Sequence, residues 1–381
     1  MKIYDIDKKS YVDIVKYDDP ATKAEQLADS LYCYQHNMFK VVYDQSQPAL
    51  KKYIDTLEDT LLQEEKMQWL FFTSGTTGTP TGVYKTRQNS YEQAQALIKT
   101  LKGMKFDRVV TTVPFVHIYG IDIGGVVPFE LDIDVWVKEN FLPEELALEA
   151  QKEHTLIVTT PLFIKALNRI KKDIKFEKTL FLTSTAPLPT EEAKAFKEHY
   201  GASIVQMFAS TETGLISYKT DDETILNAYD IVQVSEDNDR LCISSPLVTK
   251  KVINNGVKED VVLPFQTEDI VEIINENQFK LLGRSSNLAK IAGKRISTIQ
   301  IESLLERIEG VDAALIRIRR DDKALKDEIL DIYIEGSLTL NAKTVRECLK
   351  KELGSIHIPF KIHNHKKISR SSVGKKIGIE A

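Results

Sequence analysis

The chain has 381 residues, with 51 Lys or Arg against 56 Asp or Glu and a formal net charge of −5. Apolar residues make up 42% and charged residues 28%, an ordinary globular balance at a length that suits two or three domains. The acidic balance argues against nucleic acid or an anionic membrane as the main partner, so any anionic ligand has to be held by a local site.

The N-terminal residues 1–9 lack the apolar core of a signal peptide, and the expected compartment is the cytoplasm. Helical periodicity runs through Ala21–Tyr34 and Ala49–Gln63. The apolar run Trp69-Leu-Phe-Phe72 reads as a buried strand. It opens into a loop, Thr73-Ser-Gly-Thr-Thr-Gly-Thr-Pro80, whose amides, hydroxyls and glycines suit a polyphosphate. No Gly-Lys-Ser/Thr closes the loop, which excludes a Walker A motif and with it a kinase or GTPase reading. Taken alone, such a loop is a turn as readily as a ligand cradle.

Short apolar runs then alternate with helical patterns. Val109–Val113, Leu156–Thr160, Thr179–Thr183 and Ser203–Met207 read as strands, and 90–101, 143–153, 161–171 and 190–199 as helices. This alternation predicts an α/β layered domain on a largely parallel sheet. The longest apolar candidate for a membrane span, Val109 to Ile121, ends at Asp122 and is too short to cross. From about 225 to 282 the texture becomes short strands: Arg240–Ser244, Val261–Phe265, Asp269–Ile274 and Phe279–Leu282. A final α+β pattern follows, with helices at Thr298–Ile308 and Ala342–Leu353 and strands at Ala313–Arg319 and Glu328–Glu335. The expected division is an N-terminal domain at 1–284, including the small β part, and a mobile C-terminal domain at 285–381. Cys33, Cys242 and Cys348 are far apart and imply a reducing compartment without disulfides. The seven histidines show no ligand spacing, so no structural zinc is expected.

Several motifs follow the loop in order. They are Pro114-Phe-Val-His-Ile-Tyr-Gly120, Thr183-Ser-Thr-Ala-Pro-Leu188, Phe208-Ala-Ser-Thr-Glu212 and Thr267-Glu-Asp269. The block from Gly283-Arg284 through Lys290, Gly293 and Ile296 to Glu302 comes next, and then Arg370-Ser-Ser-Val-Gly-Lys375. From about residue 66 to 381 this set resembles the adenylate-forming superfamily: acyl-CoA synthetases, aryl- and fatty-acid ligases, adenylation domains and luciferases. The phosphate loop stands earlier in the chain than in that family, which resembles its N-terminally shortened forms.

The resemblance implies ATP-dependent activation of a fatty or aromatic carboxylic acid to acyl-AMP. Transfer to the thiol of coenzyme A, or to the phosphopantetheine of an acyl carrier protein, then follows. It implies Lys375 as the catalytic cation between carboxylate and α-phosphate, Thr211 on the α-phosphate and Glu212 as the Mg²⁺ ligand. His117 borders the acyl pocket. Ser74, Thr76, Thr77 and Gly78 line the β- and γ-phosphates, and Thr185, Ala186, Pro187 and Phe208 the adenine. Asp269 and Arg284 take the ribose. Lys290 and Gly293 lie on the loop that serves thiolation, with Ser286 near the pivot. The pocket is expected from Ile118, Tyr119, Ile121 and Ile123, with Gly124-Gly125 leaving room.

The sequence departs from the family at Thr81, where relatives carry a lysine, and Lys85 or Arg87 are the candidates to replace it. The departure keeps two further readings open: a non-catalytic nucleotide-binding protein of the same fold, and an adenylate-former with a non-thiol acceptor.

Overall fold

The computed structural model describes residues 1–45, 47–73, 80–152, 154–170, 173–176, 178–291, 294–319, 328–353, 359–370, 374 and 376–379. It divides into two compact units. The first comprises 1–235, 242–266 and 274–279, and the second 236–241, 267–273 and 280–381.

In the first unit the strands Val135–Val137, Arg108–Thr111, Thr155–Thr159, Thr179–Thr183 and Ser203–Ser210 lie side by side and parallel, in that order. Ile3–Asp5 adds a further parallel strand beyond Val135–Val137, and Gly214–Thr220 pairs antiparallel with Ser203–Ser210. The strands 155–159 and 179–183 are buried at every position, as strands covered on both faces must be. Helices Pro143–Ala150, Pro161–Asn168 and Thr190–Tyr200 cover one face through a core that includes Leu146, Ile164, Phe181, Phe196 and Tyr200. This is the α/β layering that the alternating pattern predicts.

A second sheet of the same unit is built around Trp69–Thr73 and Thr81–Lys85, which pair antiparallel from Trp69↔Lys85 to Thr73↔Thr81. The candidate phosphate loop therefore leaves and re-enters on paired rungs of a hairpin. Residues 74–79 themselves lie outside the described residues.

Two local expectations are corrected. The helical pattern at Ala49–Gln63 gives a helix only at Pro48–Ile54. Beyond it Leu57, Leu61 and Leu62 reach the same cluster of Leu50, Ile54, Leu70 and Phe72 through turns, which satisfies the apolar spacing without a helix. The strand expected at Val261–Phe265 is displaced: Val257–Asp260 pairs with Lys251–Asn254, and the chain then stays irregular through Pro264, which has no N–H for a ladder. The segment Tyr119–Val126 forms a π-helical stretch in which all eight residues are buried.

In that stretch the glycines make contact rather than room. A Cβ on Gly124 would meet Thr111 Oγ1 at 3.1 Å, and one on Gly125 would meet Leu27 Cδ1 at 2.7 Å. They let the helix Lys23–Gln35 and the strand Arg108–Thr111 approach. The expectation that Gly124-Gly125 leaves pocket space is thereby overturned.

The second unit places helices Thr298–Leu305 and Ala342–Leu353 with the strands Val311–Arg319, Ile329–Gly336 and Phe360–His363. Its core gathers Ile301, Leu305, Ala314, Leu330, Ile332, Ile334, Val345 and Leu349, with Ala289 and Ile296 from a preceding hairpin. Among the described residues no helix is long and apolar enough to cross a membrane.

Among the described residues the tightest glycine is Gly120, where an added Cβ would stand 2.1 Å from the Pro114 carbonyl oxygen. Backbone cannot swing aside as a side chain can, so Gly120→Ala is expected to destabilise by the upper end of about 1–3 kcal/mol. Chemical denaturation checks this. An unchanged midpoint would contradict the packing described here.

Candidate active site

Parallel strands all point their carboxyl ends to one edge of the sheet, and in open α/β sheets ligands bind outside that edge. Four candidate segments fall there. The segment with His117 follows strand 108–111, and Thr185-Ala186-Pro187 follows strand 179–183. Phe208 lies near the end of strand 203–210, and Thr211-Glu212 makes the turn out of it. Tyr119 ties the edge together by donating from its hydroxyl to the Thr159 carbonyl at 2.8 Å and the Leu182 carbonyl at 3.0 Å. Ser184 Oγ donates to the Met207 carbonyl at 3.1 Å, joining two of the segments.

The edge carries strain and unused polarity. Thr185 has φ +80°, an outlier for a β-branched residue, and strain of that kind concentrates at ligand sites. The buried hydroxyls of Thr111, Thr183 and Thr185 have no hydrogen-bond partner among the described residues. Ala186 and Pro187 are exposed. Phe208 stands at a register shift in the ladder, with its ring 6.2 Å from that of Phe279 and tilted by 62°. Loss of solvent around His117 pushes its imidazole below the ordinary value, with Asp44 pulling weakly the other way. Its neutral form is therefore the favoured one.

Thr211-Glu212 is a hairpin turn between two antiparallel strands, not the start of a helix. Ser210 and Thr213 close it: the Thr213 amide donates to Ser210 Oγ at 3.1 Å, and the two hydroxyls are 3.0 Å apart. The Glu212 carbonyl accepts from the Thr249 amide at 2.7 Å and from Lys85 Nζ at 3.0 Å. The Leu247 carbonyl also accepts from Lys85, at 2.6 Å. The carboxylate of Glu212 has no hydrogen bond or ion pair among the described residues. A half-buried carboxylate left open in this way suits a hard cation held mainly by phosphate oxygens. Among the described residues no group of three or more His, Cys, Asp or Glu forms a metal cage.

Lys85 does not replace the lysine missing at Thr81. Its side chain is only 2% exposed, and its ammonium is spent on two carbonyls. Arg87 is turned away as well: its Nε donates to the Tyr34 carbonyl at 3.0 Å, and its guanidinium lies 4.7 Å over the Tyr34 ring. Beside Lys85 stands Asp122, also buried, whose Oδ2 accepts from Gln93 Nε2 at 2.7 Å. Gln93 Oε1 in turn accepts the Leu215 amide at 2.8 Å, just after the Glu212 turn. Burial pushes Lys85 down and Asp122 up, each toward its neutral form, while their mutual attraction opposes both shifts. This network escaped the motif reading. The one signal available was a carboxylate, Asp122, interrupting an apolar run.

In the second unit, Asp269 and Arg284 are fifteen residues apart and come together, with Arg284 Nε 3.1 Å from Asp269 Oδ1. Asp269 is buried, and its own amide donates to Thr267 Oγ1 at 3.0 Å. Glu268, at the family's glycine position, pairs with Arg240 at 3.2 Å. Lys290 falls on the strand Leu288–Ile291, opposite Arg295, and Ser286 on the short helix Ser285–Asn287. Ser74, Thr76, Thr77, Gly78, Gly293 and Lys375 lie outside the described residues. Lys376, next in sequence to Lys375, is anchored by three acceptors: Glu302 Oε2 at 2.9 Å, Glu306 Oε1 at 2.5 Å and the Ala314 carbonyl at 2.5 Å. Burial pulls that ammonium down, but the two carboxylates outweigh it and hold it above its ordinary value.

Burial raises the Asp269 carboxyl above the usual carboxylate range, although Arg284 pulls it down. A carboxyl raised on folding stabilises fully below its unfolded value, and that stability is lost as pH rises through the folded value. Asp269→Asn is therefore expected to flatten the fall in stability as pH climbs out of the carboxylate range. Melting curves of both proteins from acid to neutral pH test this. Parallel curves would remove the linkage.

The chain matches the model of the family described as AMP-binding enzyme over residues 6–238, more than half its length. It is 25% identical over 322 residues to a 2-succinylbenzoate–CoA ligase of Listeria monocytogenes serotype 4b (strain F2365), covering 80% of this chain and 68% of that one. It is 21% identical over 382 residues to a 3,4-dihydroxybenzoate–[aryl-carrier protein] ligase of Bacillus anthracis, covering 97% and 84%. The crystal structure of O-succinylbenzoate coenzyme A synthetase from Bacillus subtilis with AMP superposes with a TM-score of 0.71 at 20% identity, over 87% of this chain and 76% of that one. The chain spans about two thirds of the length of the first CoA ligases it matches. On this evidence the chain belongs to the AMP-binding enzyme family, within the adenylate-forming superfamily.

Proposed function

We propose that this protein is an AMP-forming acid–thiol ligase. It activates a fatty or aromatic carboxylic acid with ATP and passes the acyl group to coenzyme A or to a carrier-protein phosphopantetheine. The observation that carries the reading is the convergence of His117, Thr185, Phe208, Thr211 and Glu212 on the carboxyl edge of one parallel sheet.

Both reacting partners of the first step are anions, so the protein's task is alignment and charge neutralisation more than proton transfer. Phe208 offers a ring face to the purine, and the strained Thr185 loop offers an unpartnered hydroxyl beside it. Thr211 donates to the α-phosphate. Glu212 would hold Mg²⁺, which when bound would supply charge neutralisation. The motif match assigns the ribose hydroxyls to Asp269, and within the second unit Arg284 Nε lies 3.1 Å from its Oδ1. Lys375 provides the ammonium at the attacked phosphorus, and this role rests on the motif alone. With Thr81 in the loop and Lys85 and Arg87 engaged elsewhere, the phosphate loop has one cation fewer than in its relatives. The acyl acceptor in the named relatives is coenzyme A in one and an aryl-carrier protein in another, so both thiols remain in the proposal.

Carboxylate-dependent ATP–pyrophosphate exchange over fatty and aromatic acids tests the first half-reaction. Lys375→Ala is expected to reduce it by on the order of 10²–10³, and Glu212→Gln to raise the Mg²⁺ concentration required. Absence of exchange with every acid would favour the nucleotide-binding reading. Mass spectrometry with coenzyme A and with holo carrier protein then identifies the acceptor.

A further inference from the structure

We propose that Lys85 is a positioning residue for the nucleotide step, its buried ammonium holding the Thr211-Glu212 turn through the Glu212 carbonyl. The inference rests on the ligase reading given above, and the residue acts from behind the site without touching substrate.

Three observations carry it. First, Lys85 ends the buried strand Thr81–Lys85, and its chain runs inward to bridge two carbonyls, Glu212 and Leu247, that are 35 residues apart. A buried ammonium is expensive unless its donors are satisfied, so the two carbonyls and the ammonium fix one another. Second, the Glu212 carboxylate has no side-chain partner among the described residues, so its place is set by its backbone. That backbone is gripped at one carbonyl by Lys85 and the Thr249 amide. Third, the other end of the turn is clamped by Gln93. Its Oε1 accepts the Leu215 amide, and a Cβ on Gly214, at φ +71°, would meet that same oxygen at 2.8 Å. The charged groups facing Lys85 are Asp122 from the π-helical stretch and Glu212 from the turn. Lys85, Gln93 and Asp122 therefore form a clamp around the residue proposed to hold the metal.

The consequence is largest at the metal–nucleotide step. Loosening the turn lowers the gain in ATP affinity that Mg²⁺ brings, beyond any loss of metal-free ATP binding that comes through Thr211 on the same turn.

Lys85→Met, which keeps the volume, and Lys85→Ala, which opens space, are compared with wild type by calorimetric titration of ATP with and without Mg²⁺. The Mg²⁺-dependent gain is expected to fall roughly 10–100-fold in both, as for other groups that orient a metal ligand. Ethylammonium ions are expected to restore Lys85→Ala in a concentration-dependent way and to leave Lys85→Met unaffected. In a Glu212→Ala background the Lys85→Met substitution is expected to change nothing further. An undiminished Mg²⁺ effect in folded variants would overturn the proposal. So would an equal loss with and without metal that no amine repairs, or failure of both variants to fold, because Lys85 would then serve the scaffold alone. Wild-type protein without exchange activity would sink the ligase reading separately, while the Mg²⁺ titrations still decide on Lys85.

Discussion

An ammonium group out of reach of water must find oxygen, and at Lys85 it finds the carbonyls of Glu212 and Leu247. A polar cluster organises around that requirement. Asp122 stands beside Lys85 on a π-helical stretch whose glycines pack against neighbouring elements. Gln93 joins Asp122 to the Leu215 amide, and Trp69 donates to Ser90 at 3.1 Å on the same helix. An unsatisfied polar group costs about 1–3 kcal/mol in a low-dielectric interior, so the bonds of the cluster support one another. Its product is a turn whose backbone is fixed and whose carboxylate has no partner among the described residues.

The sheet supplies the other half of the arrangement. Six parallel strands end on one edge, and the chain leaves each of them into a loop that need not be regular. The loops are held by a few long-range bonds, such as the two from the Tyr119 hydroxyl. Rigid strands beneath strained, under-satisfied loops form the combination that ligand sites exploit: precision from the scaffold and unspent hydrogen bonds at the surface.

The second unit uses charge differently. Asp269 is buried and raised, yet Arg284 stays within reach, so the carboxylate can ionise with its acceptor capacity only partly used. Lys376 is the opposite case, an ammonium saturated by two carboxylates and a carbonyl. Its three donors are consumed locally, so it pins the start of the strand Lys376–Ile379 to the helix Thr298–Leu305.

Apolar periodicity and the ordered motifs were enough to read the α/β class, the family and most helices from residues alone. Those signals are local, and buried strands such as 155–159 and 179–183 cannot be written in other residue types. The helix expected to reach Gln63 and the strand expected at Val261–Phe265 failed because apolar spacing records burial, and turns can bury as well as helices can. The motifs likewise named Asp269 and Arg284 without showing that they meet. What only the tertiary structure decided was the direction of side chains that bridge distant segments. Lys85 reads as a cation near a phosphate loop, and it becomes an internal brace only when residues 212 and 247 arrive beside it. The same folding makes contact points of Gly124 and Gly125, because room is a property of neighbours and no residue carries it by itself.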